Sequence, residues 1–308
     1  MTPGVRPGDQ AGPAGPWEAG GMVGTLMLVR HGESVANARS LFTGVLDVGL
    51  TPSGIRDCSL AGSRLRRVGF RPDALITSEL VRGWRTAELI CEEIGFPGTI
   101  ERDWHLNERN YGALSGLSKA QVRIEHGAER FRLWRRSYAG RPPPLPERTL
   151  ALWRTLSPFD RLPPEALTAT ESLQDVVERI RPWWYQMLTP RLIDGEDVLV
   201  VGHGNSLRAL CAVIGDLDDE ELSALNLPNA RPLRYRFAVG AGPSSAAPHR
   251  AGAEPLAGVG PGTDADPGRS ITPGSPDPLL APETRGGEYL DPEAAQREAA
   301  LIAAQGGT

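Results

Sequence analysis

Two histidines in this sequence each stand at the end of a short apolar run and directly before a glycine. The first is His31 in LMLVRHGES, and the second is His203 in VLVVGHGNS. A neutral imidazole, available near the ordinary histidine pKa of about 6.5, can attack phosphorus as a nucleophile. Arg30 adds a planar guanidinium that suits phosphate oxygens. The pattern therefore predicts phosphoryl chemistry on a histidine, with a structural histidine or a metal ligand as the alternatives for either one alone.

The segments around these histidines alternate between strand and helix patterns. Residues 73–78 form a third apolar run, between the two that precede the histidines. Thr51 followed by Pro52 is typical of the start of a helix, and Gly95 of the end of the next one. This alternation predicts an α/β fold with a mainly parallel sheet covered by helices on both faces. Ligands collect at the carboxyl ends of such strands, where both histidines stand.

Composition divides the chain into four predicted parts. They are a disordered leader (1–22), a catalytic domain (23–239), a flexible linker rich in Pro, Gly and Ala (240–284) and a C-terminal tail (285–308). Within the catalytic domain, residues 103–190 are expected to form a helical insertion over the active site. The tail contains an alanine-rich helix that Pro292 opens.

Several classes of protein are disfavoured by the composition. The net charge of -5 argues against a general nucleic-acid binder. Three isolated cysteines, Cys58, Cys91 and Cys211, suggest neither a disulfide framework nor a zinc site. No apolar run approaches the roughly 20 residues of a membrane helix, and no glycine-rich GxxxxGK[ST] or GxGxxG loop indicates a nucleotide site. We expect a cytoplasmic protein without nucleic-acid or membrane partners.

The motifs together resemble the cofactor-dependent phosphoglycerate mutases of the histidine phosphatase superfamily. The resemblance covers about residues 25–237 and resumes in 286–306. It is carried by LVRHGES, LFTG, TSELVR, LNERNYGALSGLSKA, LWRRSY, TESL and HGNSLRAL. The RHG motif by itself indicates only the superfamily, whereas LNERNYGAL with the downstream WRR resembles the mutase branch.

The resemblance implies a role for each matching residue. His31 would be the phosphorylated nucleophile, and Arg30, Arg82 and His203 would bind the transferring phosphoryl group. Glu108 would be the general acid and base, although a glutamate paired with Arg109 is the alternative that its local sequence alone favours. The substrate positions implied by the resemblance are Ser34, Asn37, Thr43, Gly44, Arg109, Tyr111, Lys119, Arg135, Arg136, Gly204 and Asn205.

The basic residues of the substrate set carry a signal of their own. Lys119 is the single lysine among 33 Lys and Arg residues, and it falls on the substrate lysine of the family. This favours a requirement for a compact, flexible point charge. The adjacent Arg135 and Arg136 would bind a substrate that carries a carboxylate and a second phosphate, with solvated surface charge as the alternative.

The implied activity is the interconversion of 3-phosphoglycerate and 2-phosphoglycerate through phospho-His31, in glycolysis and gluconeogenesis. The family is primed by 2,3-bisphosphoglycerate, needs no metal and forms homodimers or homotetramers. It covers its site partly with a carboxyl-terminal tail, so the resemblance implies that residues 285–308 act as a lid. The expected partner is therefore a small phosphorylated carboxylic acid.

The sequence also departs from the family at several positions. Ala36 and Val45 replace tryptophans, Asn110 replaces a histidine, and Asn229 with Ala230 replaces a Thr-Gly turn. The smaller side chains predict a looser entrance. They favour, as an alternative, a divergent histidine phosphatase or a mutase for another small phosphorylated acid. A third possibility is a binding protein that keeps the phosphate pocket without turnover, against which the intact catalytic set argues.

Overall fold

A six-stranded sheet organises the molecule, whose computed structural model describes residues 23–239 and 280–304. The strands of the structure are β1 (Leu26–Arg30), β2 (Ala74–Thr77), β3 (Ile100–Arg102), β4 (Val198–Gly202), β5 (Leu233–Tyr235), β6 (Phe237–Val239), β7 (Leu280–Pro282) and β8 (Glu288–Tyr289). The order of the strands in the six-stranded sheet is β3-β2-β4-β1-β5-β8. The first four strands of the chain pair in parallel, and β5 runs antiparallel to β1. This confirms the predicted mainly parallel sheet.

Helices fill the connections between the strands. They are α1 (Val35–Ala38), α2 (Pro52–Arg67), α3 (Val81–Ile94), α4 (Lys119–Arg136), α5 (Glu147–Trp153), α6 (Leu173–Trp183), α7 (Thr189–Ile193), α8 (Gly204–Gly215), α9 (Asp219–Ala224) and α10 (Pro292–Ala304). Short 3-10 helices occupy Trp104–Leu106, Gly112–Leu114, Phe159–Arg161 and Pro164–Ala166, and a π-helix, Trp184–Leu188, joins α6 to α7.

The ends of α2 and α3 follow the local signals in the sequence. The Thr51 hydroxyl accepts a hydrogen bond from the Gly54 N–H at 2.9 Å, which satisfies one of the free donors of the first turn. Pro52 is the first helical residue. At the end of α3, Gly95 adopts a left-handed conformation with φ of 67°, which glycine accepts without steric cost. Both predicted helix boundaries are confirmed.

Helices cover both faces of the sheet, as predicted. On one face Leu26 and Leu28 belong to a buried cluster with residues of α6, the π-helix and α8, including Trp184. On the other face Met27 and Val29 pack with the residues that α2 and α3 bury. Burying each such side chain stabilises the fold by roughly 1.5–3 kcal/mol. The two layers thereby hold β1 and β4 in place.

The tail lies against the open edge of the sheet. Strand β8 pairs with β5, and β7 pairs with β6. Helix α10 is held by ion pairs of Asp291 with Arg64, at 3.6 Å, and of Glu298 with Arg231. Residues 280–284, placed in the linker by the sequence analysis, instead contain β7. The predicted leader and residues 240–279 of the linker lie outside the described residues.

Among the helices of the described ranges, none is long and apolar enough to cross a bilayer.

Replacing a leucine of β4 tests the importance of the central layer. Leu199 is 0% exposed, so Leu199→Ala is expected to lower the free energy of unfolding by about 2–5 kcal/mol, through lost burial and a cavity. Leu60→Ala on α2 is the matched control, because Leu60 is 52% exposed, and should change it by less than about 0.5 kcal/mol. Urea denaturation followed by circular dichroism measures both. Equal effects of the two substitutions would contradict the assignment of the core.

Candidate active site

The ends of β1 and β4 bring the two histidines together. Arg30 pairs with Gly202 in the parallel register, and the main-chain N–H of His31 donates to the Gly202 carbonyl at 2.9 Å. The imidazole rings of His31 and His203 lie 4.9 Å apart, measured between their centroids. Both side chains are buried. The structure therefore brings the two His-Gly pairs together at one edge of the sheet.

The hydrogen bond of the His31 ring determines which of its nitrogens is nucleophilic. Nδ1 lies 2.7 Å from the carbonyl oxygen of Gly32, which can only accept, so Nδ1 carries the proton. Burial, followed by the charges of Arg82 and Arg30, holds the pKa of His31 well below its ordinary value. The ring is therefore neutral at pH 7, and Nε2 has a free lone pair.

Two buried arginines flank this nucleophile. Arg82 from α3 donates to the carbonyl oxygens of Gly44 at 2.7 Å and Leu46 at 2.8 Å, and Arg30 donates to that of Leu227 at 2.8 Å. The Nε atoms of both arginines are buried and lack a hydrogen-bond partner within the described ranges. Burial lowers the pKa of Arg82 to about 10. These guanidinium groups are desolvated donors suited to an anion.

Main-chain N–H donors hold the Glu108 side chain in place. Its Oε1 accepts hydrogen bonds from the N–H groups of Arg109 at 2.8 Å and Asn205 at 3.1 Å, and its side chain is almost fully buried. Asn205 lies in the first turn of α8, and its own amide donates to the Tyr111 hydroxyl at 3.2 Å. Arg208 donates to the Asn205 side-chain oxygen at 3.1 Å. The N-terminus of α8 thus orients the carboxylate.

A part-buried network of hydrogen bonds holds the loop that carries Glu108. Arg179 of α6 donates to Glu171 at 2.9 Å, to the Asn107 carbonyl at 2.7 Å and to the His105 carbonyl. Glu171 in turn accepts from the main-chain N–H of Asn110 at 2.8 Å. The Asn110 side chain donates to the main chain of residue 168 at 2.6 Å and accepts from that of residue 112 at 2.9 Å. Asn110, which replaces the family's histidine, therefore holds this loop in place through its hydrogen bonds.

One cavity collects many of the predicted site residues. Those that line it are Arg30, His31, Asn37, Thr43, Gly44, Arg82, Glu108, Tyr111 and Lys119, together with Leu41 and Phe42. Lys119 is the first residue of α4 and is half-buried. Burial lowers its pKa to about 7, and the charges of Arg135 and Arg30 act in the same direction.

Other predicted residues lie around this cavity rather than on its wall. Ser34 caps α1, and its hydroxyl donates to the Asn37 side-chain oxygen at 2.9 Å. His203 immediately precedes α8, and Gly204 is its first residue. None of residues 280–304 lines the cavity.

Three predicted arginines differ in what they contact. Arg109 is fully buried, stacks on the Tyr111 ring at 4.4 Å and donates to the Trp134 carbonyl at 2.7 Å. Arg135 is also fully buried, with its guanidinium 5.1 Å from the centroid of Phe131. Arg136 instead donates to the Ser223 carbonyl at 3.1 Å, in α9. The adjacent pair thus separates into one arginine beneath the site and one turned towards α9.

The departures from the family are accommodated by local contacts. Val45 is 3% exposed and packs with Leu80, Phe159 and Leu167, the last two from the insertion. Ala36 is also buried, at 4% exposure. Ala230 keeps a left-handed φ of 51°, and its N–H donates to the Arg30 carbonyl at 2.9 Å. The expected loosening of the entrance is thus offset at Val45 by packing against the insertion.

Sequence reasoning missed the residues that support the site without lining the cavity. They are Ser78, Glu171, Arg179 and Arg208. Ser78 had a usable signal, because it directly follows β2 at the same edge of the sheet as the histidines. Arg179 had none, since the two carbonyls of the Glu108 loop that it contacts, those of His105 and Asn107, lie more than 70 residues earlier in the chain.

The fold and the site define the class of this protein. Phosphoryl transfer on a histidine needs a neutral ring with fixed positive charge around it. The carboxyl edge of this mainly parallel sheet supplies both, as expected of a histidine-dependent phosphoryl-transfer enzyme. The sequence profile of the histidine phosphatase superfamily (branch 1) matches residues 26–241. The chain belongs to this superfamily.

Similar proteins carry more specific names. A 2,3-bisphosphoglycerate-dependent phosphoglycerate mutase of Thermobifida fusca is 40% identical over 283 residues, covering 92% of this chain and 99% of that protein. The Streptomyces griseus protein of the same name is 46% identical over 220 residues, covering 69% of this chain and 84% of its own length. A solved mycobacterial glucosyl-3-phosphoglycerate phosphatase aligns with a TM-score of 0.54 at 24% identity, covering 69% of this chain and 92% of that one, which supports the fold.

The pKa of Lys119 predicts how substrate capture depends on pH. Because that pKa is lowered to about 7, the free enzyme loses this cation as the pH rises through 7. We expect kcat/KM for 3-phosphoglycerate to fall by on the order of tenfold between pH 7 and 8.5, where the substrate phosphate is already dianionic. Lys119→Arg should flatten this decline, because its guanidinium stays charged.

Steady-state assays at constant ionic strength measure this decline. His126→Ala is the control, because His126 does not line the cavity, and it should keep the wild-type profile. The same decline in Lys119→Arg as in the wild type would show that another group titrates.

Proposed function

We propose that this chain is a 2,3-bisphosphoglycerate-dependent phosphoglycerate mutase, which interconverts 3-phosphoglycerate and 2-phosphoglycerate in glycolysis and gluconeogenesis. The observation that carries the proposal is the free Nε2 of a neutral His31 beside two desolvated arginines, with Glu108 on the wall of the same cavity. The relatives named as this mutase, at 40% and 46% identity, support it.

Phosphoryl transfer in this site begins at His31. Its Nε2 attacks phosphorus, and the bond to the leaving oxygen breaks, so that the phosphoryl group is carried on the ring. Arg30 and Arg82 compensate the charge that spreads over the three equatorial oxygens. Both arginines are fixed by main-chain carbonyls, so little reorganisation is needed when the charge develops.

Glu108 is the general acid and base of the proposal. It protonates the oxygen that leaves phosphorus and then accepts a proton from the hydroxyl that attacks phospho-His31. Its Oε1 is occupied by two main-chain N–H donors, whereas its Oε2 has one weaker contact, 3.4 Å from the Asn205 N–H. Oε2 is therefore the oxygen that exchanges the proton.

The remaining polar groups of the cavity suit the carboxylate of the substrate and the second phosphate of 2,3-bisphosphoglycerate. Lys119, Tyr111 and Asn37 line the wall that also carries Glu108. An anion bound there raises the pKa of Lys119 again, because a nearby negative charge favours the charged form of the ammonium group. Thr43 and Gly44 lie on the same wall, where Gly44 has a left-handed φ of 51°.

The same groups fit 2,3-bisphosphoglycerate as the priming compound. Arg30 and Arg82, whose buried Nε atoms have no partner in the described part of the chain, suit the phosphate that this compound transfers. When bound, this compound supplies the phosphoryl group that first loads His31. The two arginines supply charge compensation without a metal ion.

The second candidate is the divergent histidine phosphatase, in which the same His31 chemistry ends in water. The location in the cytoplasm, the homodimer or homotetramer and the role of residues 285–308 as a lid remain predictions that accompany the main proposal.

A single assay separates the two candidates. Purified protein with 3-phosphoglycerate and a trace of 2,3-bisphosphoglycerate is expected to produce abundant 2-phosphoglycerate and little free phosphate, both measured in the same tube. His31→Ala should abolish both products, because the acceptor of the phosphoryl group is lost. His126→Ala is the matched control, since His126 packs edge-on against Trp134 away from the cavity. Free phosphate without isomerisation would overturn the mutase in favour of the phosphatase.

Glu108→Gln tests the acid and base role separately from binding. It keeps the shape of the side chain but removes the exchangeable proton, so kcat is expected to fall about 10²–10⁴-fold. The exposed Glu125 on α4 gives the control Glu125→Gln, which should leave kcat unchanged. A loss smaller than tenfold in Glu108→Gln would place the proton transfer on another group.

A further inference from the structure

A buried serine, Ser78, contacts the ring of the second histidine. The Ser78 Oγ lies 2.7 Å from the Nε2 of His203, and both side chains are 0% exposed. Ser78 directly follows β2, and it is not among the residues that line the cavity. No role in the mechanism above is assigned to it.

The hydrogen bonds around Ser78 determine the direction of this contact. The Leu80 N–H donates to the Ser78 Oγ at 3.3 Å, so the hydroxyl oxygen already accepts one hydrogen bond. A buried hydroxyl hydrogen also needs an acceptor, and the His203 Nε2 is the one within bonding distance in the described part of the chain. Ser78 is therefore the donor and Nε2 the acceptor. In a neutral ring, the proton must then lie on Nδ1.

A glycine on α3 makes room for this contact. A Cβ atom at Gly83 would lie 2.3 Å from the Ser78 Oγ and 3.4 Å from the His203 Nε2. Any larger residue would displace the hydroxyl from its position. The absence of a side chain at Gly83 thus leaves the space that the contact between Ser78 and His203 occupies.

We propose that Ser78 is a positioning residue that holds His203 in the Nδ1–H tautomer, so that this N–H donates to an oxygen of the phosphoryl group carried by His31. The inference rests on the proposed function and extends it by one residue. The His203 Nδ1 is buried and has no partner among residues 23–239 and 280–304, and the two rings are 4.9 Å apart. A phosphoryl oxygen would satisfy this donor.

The tautomer matters because the second histidine is neutral. Burial, with the charges of Arg82, His31 and Arg30, holds the pKa of His203 well below its ordinary value. A neutral ring can donate from one nitrogen only. In the opposite tautomer, the Nδ1 lone pair would face the negative oxygens, and one donor to the transition state would be lost.

Nitrogen NMR on the full-length protein tests the tautomer without any substrate. Two-bond proton–nitrogen correlation spectra distinguish the two neutral forms, and the chain has five histidines, so the His203 signals are assigned by their loss in His203→Gln. We expect the Nδ1–H form from pH 6 to 8 in the wild type. Ser78→Ala should yield a mixture or the Nε2–H form, and an Nε2–H wild-type ring would overturn the inference.

Kinetics of the same variants test the consequence for transfer. Ser78→Ala is expected to lower kcat by about 10–10²-fold while KM for 3-phosphoglycerate changes by less than about threefold, because the lost donor acts on the transferring group. Gly83→Ala should shift the tautomer in the same way if Ser78→Ala does not fold. Ser206→Ala is the control for the spectra, since the Ser206 hydroxyl accepts from the His203 main-chain N–H at 3.0 Å and the substitution leaves the main chain of both residues in place.

The two levels of the proposal fail in different ways. A wild-type protein without mutase activity but with the expected spectra would overturn the proposed function and leave the Ser78 contact standing. An active mutase whose Ser78→Ala variant keeps both the Nδ1–H form and full kcat would overturn the role of Ser78 alone.

Discussion

The parallel pairing of β1 with β4 is the constraint on which every contact of the site depends. Its register sets Arg30 beside Gly202, so the next residue of each strand is a histidine at the same level of the sheet. Side chains alternate between the faces of a strand, so a slip of one residue in either strand would turn its apolar residues away from the core. Burial of both faces therefore protects the register, and with it the 4.9 Å spacing of the two rings.

Desolvated positive charge is the second feature of the site, and it depends on the parallel pairing of β1 with β4. Arg30 and Arg82 are buried at the edge of the sheet, where Glu108 is the carboxylate on the cavity wall. Unsatisfied buried donors cost free energy in the unliganded protein. An anion that meets them recovers this cost, and any ligand that binds only the folded state stabilises that state. The same burial keeps His31 neutral and leaves Lys119 half titrated near pH 7, so nucleophilicity and anion affinity share one physical cause.

Local patterns in the sequence predicted the elements and the residues at strand ends, because those signals lie within a few residues of one another. Thr51, Gly95 and the two His-Gly pairs are of this kind. The arginines show where such reasoning ends. Arg135 and Arg136 are adjacent, but consecutive helical residues point about 100° apart, so only Arg135 is directed beneath the site. The contacts of Ser78 with His203, and of Arg179 with the Glu108 loop, join residues far apart in sequence and required the structure.

The departures from the family fall on packing and turns rather than on reacting groups. The small side chain of Val45 is matched by Phe159 and Leu167, which couples the insertion to the wall of the cavity. Ala230 accepts a left-handed conformation that costs a residue with a Cβ atom on the order of 1 kcal/mol. Its N–H bond to the Arg30 carbonyl and the Asn229 bond to the His31 carbonyl offset this strain. The turn therefore fixes the main chain of the nucleophile, so its altered sequence is compatible with unchanged chemistry at His31.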